Sequence, residues 1–436
     1  MASRPAPEVH LNLNVRGMRA SATLAINERS EELRRQGRDV YRLGLGQSPF
    51  PVPEVVIEAL RQNAHQKAYL PVRGLRQLRG AVAAYHRRTD GLHCEGNHVL
   101  IGPGSKELMF LLQLVYYGDL VIPTPSWVSY APQAHILGRQ VRWLETRASN
   151  RWRLTPEELE RLGSEDPGRP RIVILNYPSN PTGDTLRTDD LRALARVARK
   201  YRMVVVSDEI YGELHHRGQH VSIARYYPEG TIVSAGLSKW CGAGGWRLGT
   251  FTFPPGLCWL LDAMAAVASE TYTSTSAPIQ FAAVRAFEGG LEIEEYLQQS
   301  RRVLRALGRA LASRLRDAGA EVIDPRGGFY LFPDFCNHRE ALAARGIRTS
   351  RDLCEKLLEE TGVAILPGSD FGRPPDELTA RLAYVNFDGA RAIVAAREVP
   401  SDRPLDEEFL DIHCPSTLEA ARVMADWLLD GARRDG

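Results

Sequence analysis

Six short apolar runs, each separated from the next by a polar or helical segment, limit the folds open to this chain more than any other feature. The runs are HVLI, DLVIP, RIVIL, MVVVS, TIVSAG and LGTFTF, between residues 98 and 253. A strand buried on one face alternates apolar and polar residues, whereas a strand buried on both faces is apolar throughout. The runs therefore predict an α/β fold whose mostly parallel sheet is covered by helices on both faces.

Polar or aromatic residues follow these runs at the points where the strands would end. They are Ser105, Trp127, Asn180, Asp208 and Lys239. Because open α/β sheets bind ligands at the carboxyl ends of their strands, we expect the five to lie together at one edge. Ser105 also opens an apolar helix after a Gly-Pro-Gly turn, and the free N–H groups of a helix start suit a phosphate. An ordinary strand-to-helix turn would give the same local pattern.

A glycine-rich segment after the fifth run holds Lys239, on which a functional hypothesis depends. The chain has only five lysines among its 55 basic residues, and this one stands in SKWCGAGGWRLG, directly after Ser238. Lysine can act as an amine nucleophile once its pKa falls, and arginine cannot. Schiff-base chemistry needs such an amine, and pyridoxal 5′-phosphate (PLP) is its usual carbonyl partner. A surface lysine in a flexible loop remains the alternative interpretation.

The pattern changes after about residue 290, where shorter strands and helices predict a second, smaller α+β domain. We expect a long helix over residues 291–318, a strand over 320–335 and a closing helix over 417–429. The stretch 388–415 is charged and contains several prolines, which predicts a surface insertion. The chain is thus divided into a large domain, residues 61–295, and a small domain formed by residues 1–60 and 296–436.

Charge and composition argue against several classes of protein. A net charge of +2 without a basic run gives no support for a nucleic-acid partner. No apolar run reaches about 18 residues, so no transmembrane helix is expected, and the N-terminal residues lack the apolar core of a signal peptide. The six cysteines show no CxxC spacing, which argues against a zinc site or a disulfide framework. We expect a cytoplasmic protein with no metal, membrane or nucleic-acid partner.

The motifs taken together resemble the class I/II aminotransferases, the aspartate aminotransferase-like family of fold type I PLP enzymes. The matching segments are NYPSNPTG, SDEIYG, SKWCGAGGWRLG, PRGGFYLF, PGSDFG and ARLAY. The spacing also agrees, because 28 positions separate Asn180 from Asp208 and eight separate Lys239 from Arg247. The resemblance implies a PLP-dependent transaminase that moves an amino group between an L-α-amino acid and a 2-oxo acid. The implied mechanism is ping-pong, through an aldimine of Lys239.

The resemblance also implies a role for each group around the cofactor ring. Asp208 resembles the carboxylate that pairs with the pyridine nitrogen of PLP. Tyr211 and Asn180 resemble the two groups that hydrogen-bond its phenolic oxygen, and Trp127 resembles the aromatic residue that stacks on its ring. Lys239, released as a free amine, would take the Cα proton of the substrate and deliver it to C4′ of the cofactor.

Further roles concern the phosphate and the second subunit. Tyr69 resembles the tyrosine that reaches the phosphate of the neighbouring subunit, which implies a homodimer with shared sites. The remaining phosphate contacts implied by the family are backbone groups, one hydroxyl and one guanidinium, contributed by Gly104, Ser105, Lys106, Ser238 and Arg247.

Substrate contacts follow from the same resemblance. Arg381 resembles the arginine that binds the α-carboxylate, a pairing that suits its planar guanidinium. Asn180 and the loop glycine Gly46 are also implied on the substrate side. Two departures stand out: residues 271–276 carry no arginine for a distal carboxylate, and Gly236 replaces a serine, so one phosphate contact is expected to be missing.

Two other kinds of activity stay open at this point. A PLP-dependent lyase, or an oxidase or hydroxylase of amino acids that uses O₂, could share the fold and the cofactor, because the fate of the substrate depends on groups outside the shared motifs. A non-catalytic regulator is less favoured, because the segment before Gly46 is too short for an added DNA-binding domain.

Overall fold

The computed structural model describes residues 10–18 and 21–433, and its centre is a seven-stranded sheet. The twelve strands of the described part are β1 Tyr41–Arg42, β2 Val99–Gly102, β3 Asp119–Thr124, β4 Val141–Glu145, β5 Arg171–Asn176, β6 Val204–Asp208, β7 Thr231–Gly236, β8 Gly249–Thr252, β9 Tyr330–Leu331, β10 Val363–Ala364, β11 Leu366–Pro367 and β12 Ala380–Ala383. The order in the large sheet is β2-β8-β7-β6-β5-β3-β4, and only β8 runs antiparallel to its neighbours. The predicted mostly parallel sheet is confirmed.

Helices cover this sheet and build the rest of the chain. Their bounds are α1 Ala22–Arg35, α2 Glu54–Asn63, α3 Arg76–Asp90, α4 Ser105–Val115, α5 Tyr130–Ile136, α6 Pro156–Glu165, α7 Thr188–Lys200, α8 Cys258–Glu270, α9 Ala277–Glu288, α10 Leu291–Asp317, α11 Arg339–Ala344, α12 Ser350–Thr361, α13 Gly389–Glu398, α14 Glu407–His413 and α15 Pro415–Arg433. No helix in the described ranges is both long and apolar enough to cross a membrane.

Neighbouring residues of one strand pack on opposite sides of the sheet. In β6, Val204 and Val206 belong to the apolar cluster that includes residues of α4 and α8, whereas Val205 belongs to the cluster that includes residues of α6 and α7. All three valines are less than a tenth exposed. Burial on both faces explains why the run MVVVS lacks the polar alternation of a half-exposed strand.

The register of the sheet brings polar side chains to one edge. Asn176, the last residue of β5, is paired with Asp208 at the end of β6, and Asp208 is paired with Ser234 in β7. The antiparallel strand β8 begins at Gly249, opposite Gly236, so the segment before it reaches the same edge. This edge carries the candidate site.

The stretch 388–415 is not an irregular surface segment, contrary to what its charge and prolines suggest; that it is an insertion stays a prediction. It contains α13 and α14, whose apolar residues Ile393, Phe409 and Leu410 are buried. Helix α13 packs on α10, where the Nη1 group of Arg302 donates to the carbonyls of Ala396 and Val399, both at 2.8–2.9 Å. Charged residues occupy the outer faces, so the high charge of the stretch reflects two amphipathic helices.

Residues 320–335 were expected to form one strand, and the structure has only β9 there. Pro325 and the two glycines that follow Arg326 interrupt the extended run, and Gly328 has a φ of +63°, outside the β region. β9 joins β11 and β12 in a separate three-stranded sheet. The long helix expected after residue 290 is present as α10. The division into large and small domains stays a prediction.

Candidate active site

A cavity of about 480 Å³ opens at the carboxyl edge of the large sheet. Gly104 lies behind it, where a Cβ would stand 2.3 Å from Nη2 of Arg247. Tyr69 lies outside it and is 91% exposed. The other residues predicted from the sequence line the cavity: Gly46, Ser105, Lys106, Trp127, Asn180, Asp208, Tyr211, Ser238, Lys239, Arg247 and Arg381.

Lys239 projects from the segment after β7 into this cavity. Its Nζ donates to the carbonyl oxygen of Gly46 at 2.7 Å and lies 5.6 Å from the centre of the Tyr211 ring. Burial, together with the nearby guanidinium groups of Arg381 and Arg247, lowers the pKa of Lys239 to about 8. An amine with this pKa is partly neutral near neutral pH, which is the state in which it acts as a nucleophile or a base.

Asp208 is buried at the end of β6. One carboxylate oxygen accepts from the phenol of Tyr130, and the other accepts from Ser234 Oγ at 3.3 Å. Burial raises the pKa of Asp208 to about 6, while the hydrogen bonds from Tyr130, Ser234 and the backbone of Ile210 oppose that rise. A buried carboxylate that forms no ion pair with the described residues is suited to a cationic ligand group.

The start of α4 and Arg247 form the second end of the cavity. Ser105 is the first residue of α4, and Gly104 before it has a φ of +93°, which favours glycine. The first N–H groups of a helix have no partner inside the helix, so they are available to an anion. Arg247 donates to the carbonyls of Gly244 at 2.9 Å and Pro103 at 3.3 Å, which fixes its guanidinium beside that helix start.

Arg381 is only 2% exposed and makes no ion pair within the described part of the chain. Its guanidinium donates to Asn180 Oδ1 at 3.3 Å and to the carbonyl of Gly44, and its Nε has no hydrogen-bond partner there. The charge lies 4.9 Å from the centre of the Tyr330 ring. A buried cation with an unused donor is poised to bind a carboxylate.

Two tyrosines of the site were missed at the sequence level. Tyr130 bonds Asp208, and the Tyr330 hydroxyl lies 2.8 Å from the Tyr211 hydroxyl. A Cβ at residue 46 would stand 1.9 Å from the Tyr330 hydroxyl. The loop around Gly46 can therefore approach Tyr330 only because residue 46 is glycine. Tyr130 follows Trp127 by three positions, a helical spacing that could have signalled it. No comparable signal singles out Tyr330 within the GGFYLF segment.

The departure at Gly236 has a steric explanation. A Cβ there would lie 2.7 Å from the carbonyl oxygen of Leu248 and 3.1 Å from Cα of Gly249. In this chain β8 therefore passes so close to β7 that a serine at this position would require a local shift of the two strands.

Residues 38–386 match the family described as Aminotransferase class I and II. The chain belongs to that family. It is a PLP-dependent transaminase, and its substrates are an amino acid and a 2-oxo acid. The lyase and oxidase alternatives are not favoured by the relatives, whose descriptions are those of transaminases.

Several relatives of this aminotransferase have been described. The aspartate aminotransferase of Geobacillus stearothermophilus is 35% identical over 379 residues, covering 85% of this chain and 93% of that protein. The asparagine–oxo-acid transaminase of Streptococcus mutans is 31% identical, covering 86% and 94%. The structure of Thermus thermophilus aspartate aminotransferase with maleate has a TM-score of 0.80 at 31% identity, covering 90% of this chain and 98% of that one.

The groups that line the cavity fit PLP. The aminotransferase provides a primary amine with a lowered pKa in Lys239 and a buried carboxylate in Asp208. It provides a phosphate-sized anion site where Arg247 meets the start of α4. The aromatic face of Trp127 borders the same space. The donor set therefore matches the aldehyde, pyridine nitrogen, phosphate and ring of the cofactor.

Proposed function

We propose that Lys239 anchors the cofactor and moves the substrate proton, that Asp208 holds its ring nitrogen, and that Arg381 binds the substrate α-carboxylate. The observation that carries this proposal is the presence of all three groups in one cavity, with the amine and the carboxylate both buried enough to have shifted pKa values. PLP, when bound, acts as an electron sink that makes the Cα–H bond of an amino acid acidic.

The cofactor would be held from three directions. Arg247, the hydroxyl of Ser238 and the first N–H groups of α4, at Ser105 and Lys106, would bind its phosphate. Trp127 would cover one face of its ring. The Asp208 carboxylate, kept in place by Tyr130 and Ser234, would keep a proton on the ring nitrogen. Gly104 supports this arrangement because any side chain there would displace Arg247.

Lys239 would carry the proton that transamination must move. As a neutral amine it would take the proton from the substrate Cα, and as the resulting ammonium it would hold that proton for return to the cofactor. Tyr211 and Asn180 would donate hydrogen bonds to the phenolic oxygen of the cofactor, and the bond between the Tyr211 and Tyr330 hydroxyls would orient the first of these. Arg381, held by Asn180 and Gly44, would bind the substrate carboxylate and so keep the substrate in the cavity that contains Lys239.

We propose an acidic amino acid such as aspartate as the donor. The relatives described above act on aspartate or asparagine by name. Besides Lys239, Arg247 and Arg381, the described lining of the cavity includes the basic side chain of Lys106, whose Nζ lies 5.3 Å from the centre of the Trp127 ring. With Arg247 assigned to the phosphate and Arg381 to the α-carboxylate, Lys106 is available for a distal carboxylate. This would replace the arginine that residues 271–276 lack.

The activity is tested by adding single amino acids to the purified holoenzyme without a 2-oxo acid. A half-reaction leaves the cofactor in its amino form, so the absorbance of the bound cofactor must change and the matching 2-oxo acid must appear. We expect the absorbance change and the 2-oxo acid to appear at lower concentrations of aspartate than of neutral amino acids. Conversion by a neutral amino acid alone would reject the proposed donor. Ammonia release or oxygen uptake in place of a stable amino form would reject transamination.

Replacing Lys106 by alanine is expected to lower kcat/KM for aspartate by about 10- to 100-fold, because one charge-assisted contact with the distal carboxylate is lost. Activity toward a neutral amino acid should change little, since the backbone N–H of residue 106 is retained. Steady-state kinetics with both donors give the ratio of kcat/KM for aspartate to kcat/KM for the neutral amino acid. The matched control is Lys67→Ala, a lysine that does not line the cavity. Equal losses for both donors would show that Lys106 does not select the substrate.

We also propose a cytoplasmic homodimer in which Tyr69 completes the site of the other subunit. Its 91% exposure is consistent with a residue that contacts a partner, and it does not line the cavity of its own chain. Gel filtration with light scattering is expected to give about twice the chain mass of 48.6 kDa. All six cysteines are unpaired, which supports a reducing compartment.

Subunit mixing tests the shared site directly. A Lys239→Ala chain and a Tyr69→Ala chain are each expected to have weak activity. In a mixed dimer, one site receives both intact residues, so activity should return after the subunits exchange. Mixing without any gain in activity, although exchange is demonstrated, would place Tyr69 outside the neighbouring site.

A further inference from the structure

A second cavity, of about 530 Å³, lies outside the active site and is lined mainly by basic side chains. It is bordered by the start of α7, the segment after β6 and the middle of α10. It shares no lining residue with the cavity around Lys239. Asp324 is the acidic residue of its lining, against six arginines: Arg151, Arg187, Arg217, Arg305, Arg309 and Arg326.

The arginines of this cavity fall into two groups. Arg151 and Arg326 pair with Asp184, and Arg187 pairs with Asp190. By contrast, the guanidinium groups of Arg217, Arg305 and Arg309 make no hydrogen bond or ion pair with any residue in 10–18 or 21–433. We call these three the unpaired arginines.

Two of the unpaired arginines come from one face of α10. Arg305 and Arg309 are four positions apart, so their side chains are neighbours, and like charges at this spacing destabilise a helix. On the same helix, Arg301 has a carboxylate partner, Glu213, and Arg302 binds backbone carbonyls. The helix therefore provides partners for its other nearby arginines, whereas Arg305 and Arg309, which border this cavity and a neighbouring one, have none among the described residues.

The electrostatic environment agrees with an uncompensated positive charge. The pKa of Arg305 is lowered by burial and then by Arg309 and Arg217. Burial lowers the pKa of His216 on the cavity wall to about 4, and Arg305 and Arg309 contribute in the same direction. His216 is thus neutral and does not add to the charge. The positive potential comes from the guanidinium groups, which are permanently charged.

We propose that this cavity binds a small ligand carrying two or more anionic groups, held by Arg217, Arg305 and Arg309. Guanidinium groups bind phosphate and carboxylate with paired hydrogen bonds, and three of them can bind two anionic groups at once. Thr185 and Thr188 add hydroxyls to the lining, and Thr188 is the first residue of the 13-residue helix α7. The cavity volume of about 530 Å³ suits a metabolite-sized molecule.

The cavity lies behind segments that also reach the active site. The backbone N–H groups of Arg326 and Gly327 donate to the carbonyl of Gly183 at 2.7 and 3.1 Å. The segment that contains Arg326 and Gly327 continues to Tyr330, and the segment that contains Gly183 includes Asn180. Tyr330 and Asn180 both line the active-site cavity. A ligand bound at the unpaired arginines would therefore lie next to segments that also form part of the catalytic cavity.

Isothermal titration of the PLP-loaded enzyme with inorganic pyrophosphate tests the proposal, because a loaded active site already holds its phosphate. We expect saturable binding, and we expect the double variant Arg305→Gln/Arg309→Gln to weaken it by about tenfold or more. The matched control is Arg348→Gln, an exposed arginine on a separate part of the chain, which should leave the affinity unchanged. Transaminase activity and circular dichroism show whether the variants are folded.

The same titration with citrate identifies the class of anion. Tighter binding of pyrophosphate would indicate a phosphate-bearing ligand, and tighter binding of citrate would indicate a polycarboxylate. Either result supports the proposal if the double variant binds the preferred anion more weakly than the parent protein does. The proposal is overturned if neither anion binds, if the double variant binds as well as the parent protein, or if Arg348→Gln weakens binding equally. A preference for a short oligonucleotide over both small anions would also overturn it.

Discussion

Replacing Lys239 by alanine is expected to lower kcat by about 10³-fold or more, because the variant loses both the amine that anchors PLP and the base that moves the Cα proton. The effect should be on kcat far more than on KM, since Arg381 still binds the substrate carboxylate. Single-turnover absorbance measurements of the bound cofactor with aspartate separate the proton-transfer step from product release.

Two controls make this result specific. Lys239→Arg keeps a positive charge in the same place but cannot supply a neutral amine, so it should be as inactive as the alanine variant. Lys356→Ala removes an exposed lysine on α12 and should have normal activity. Small primary amines added to Lys239→Ala are expected to restore part of the rate, in proportion to their concentration. A Lys239→Ala enzyme with more than a tenth of the parent kcat would rule out the assigned role.

Replacing Asp208 by asparagine should give the second largest loss, about 10²- to 10³-fold in kcat/KM. Asparagine has nearly the same shape, so the packing under the sheet is kept, but it cannot balance a protonated ring nitrogen. Steady-state kinetics with saturating PLP measure the loss. Tyr130→Phe is the matched variant, because it removes one hydrogen bond to the carboxylate but leaves the charge. The decrease in kcat/KM of Tyr130→Phe should be much smaller than that of Asp208→Asn.

The pKa of Asp208 adds a pH dependence to this prediction. Burial raises that pKa to about 6, so the carboxylate is charged above pH 6 and becomes neutral as the pH falls below it. PLP affinity of the parent protein should therefore weaken as the pH falls through 6, and that of Asp208→Asn should not. Tyr130→Phe should move the midpoint to higher pH, since the Tyr130 hydrogen bond lowers the pKa. Equal pH profiles for all three proteins would contradict the assignment.

The sheet and its polar edge could be predicted from the sequence because both depend on local patterns. The apolar runs predict strands buried on both faces, and the ends of parallel strands necessarily meet at one edge. Asn180, Asp208 and Lys239 could thus be grouped without any knowledge of side-chain contacts. Arg381 could be predicted only through the family resemblance, since nothing local distinguishes it among the fifty arginines of the chain.

Other features depend on contacts between distant segments and could not be predicted in this way. Tyr330 enters the site because β9 pairs with β12, far along the chain, and because Gly46 leaves space for its hydroxyl. The helices of residues 388–415 were not predicted because charged residues and prolines dominate that stretch. Their apolar face is buried by packing against α10, which lies far away in the sequence. The amphipathic spacing of Ile393 and Ala396 was the signal for a helix there.

Arg381 links folding to the supply of ligand. Its charge is removed from water and forms no ion pair with the described residues, so the folded chain bears a desolvation cost that an incoming carboxylate offsets. Any carboxylate that binds the native state and not the unfolded chain raises the melting temperature in proportion to the logarithm of its concentration. The lifetime of this protein in a cell would then follow the concentration of its own substrates, and starvation for them would leave it easier to unfold and degrade.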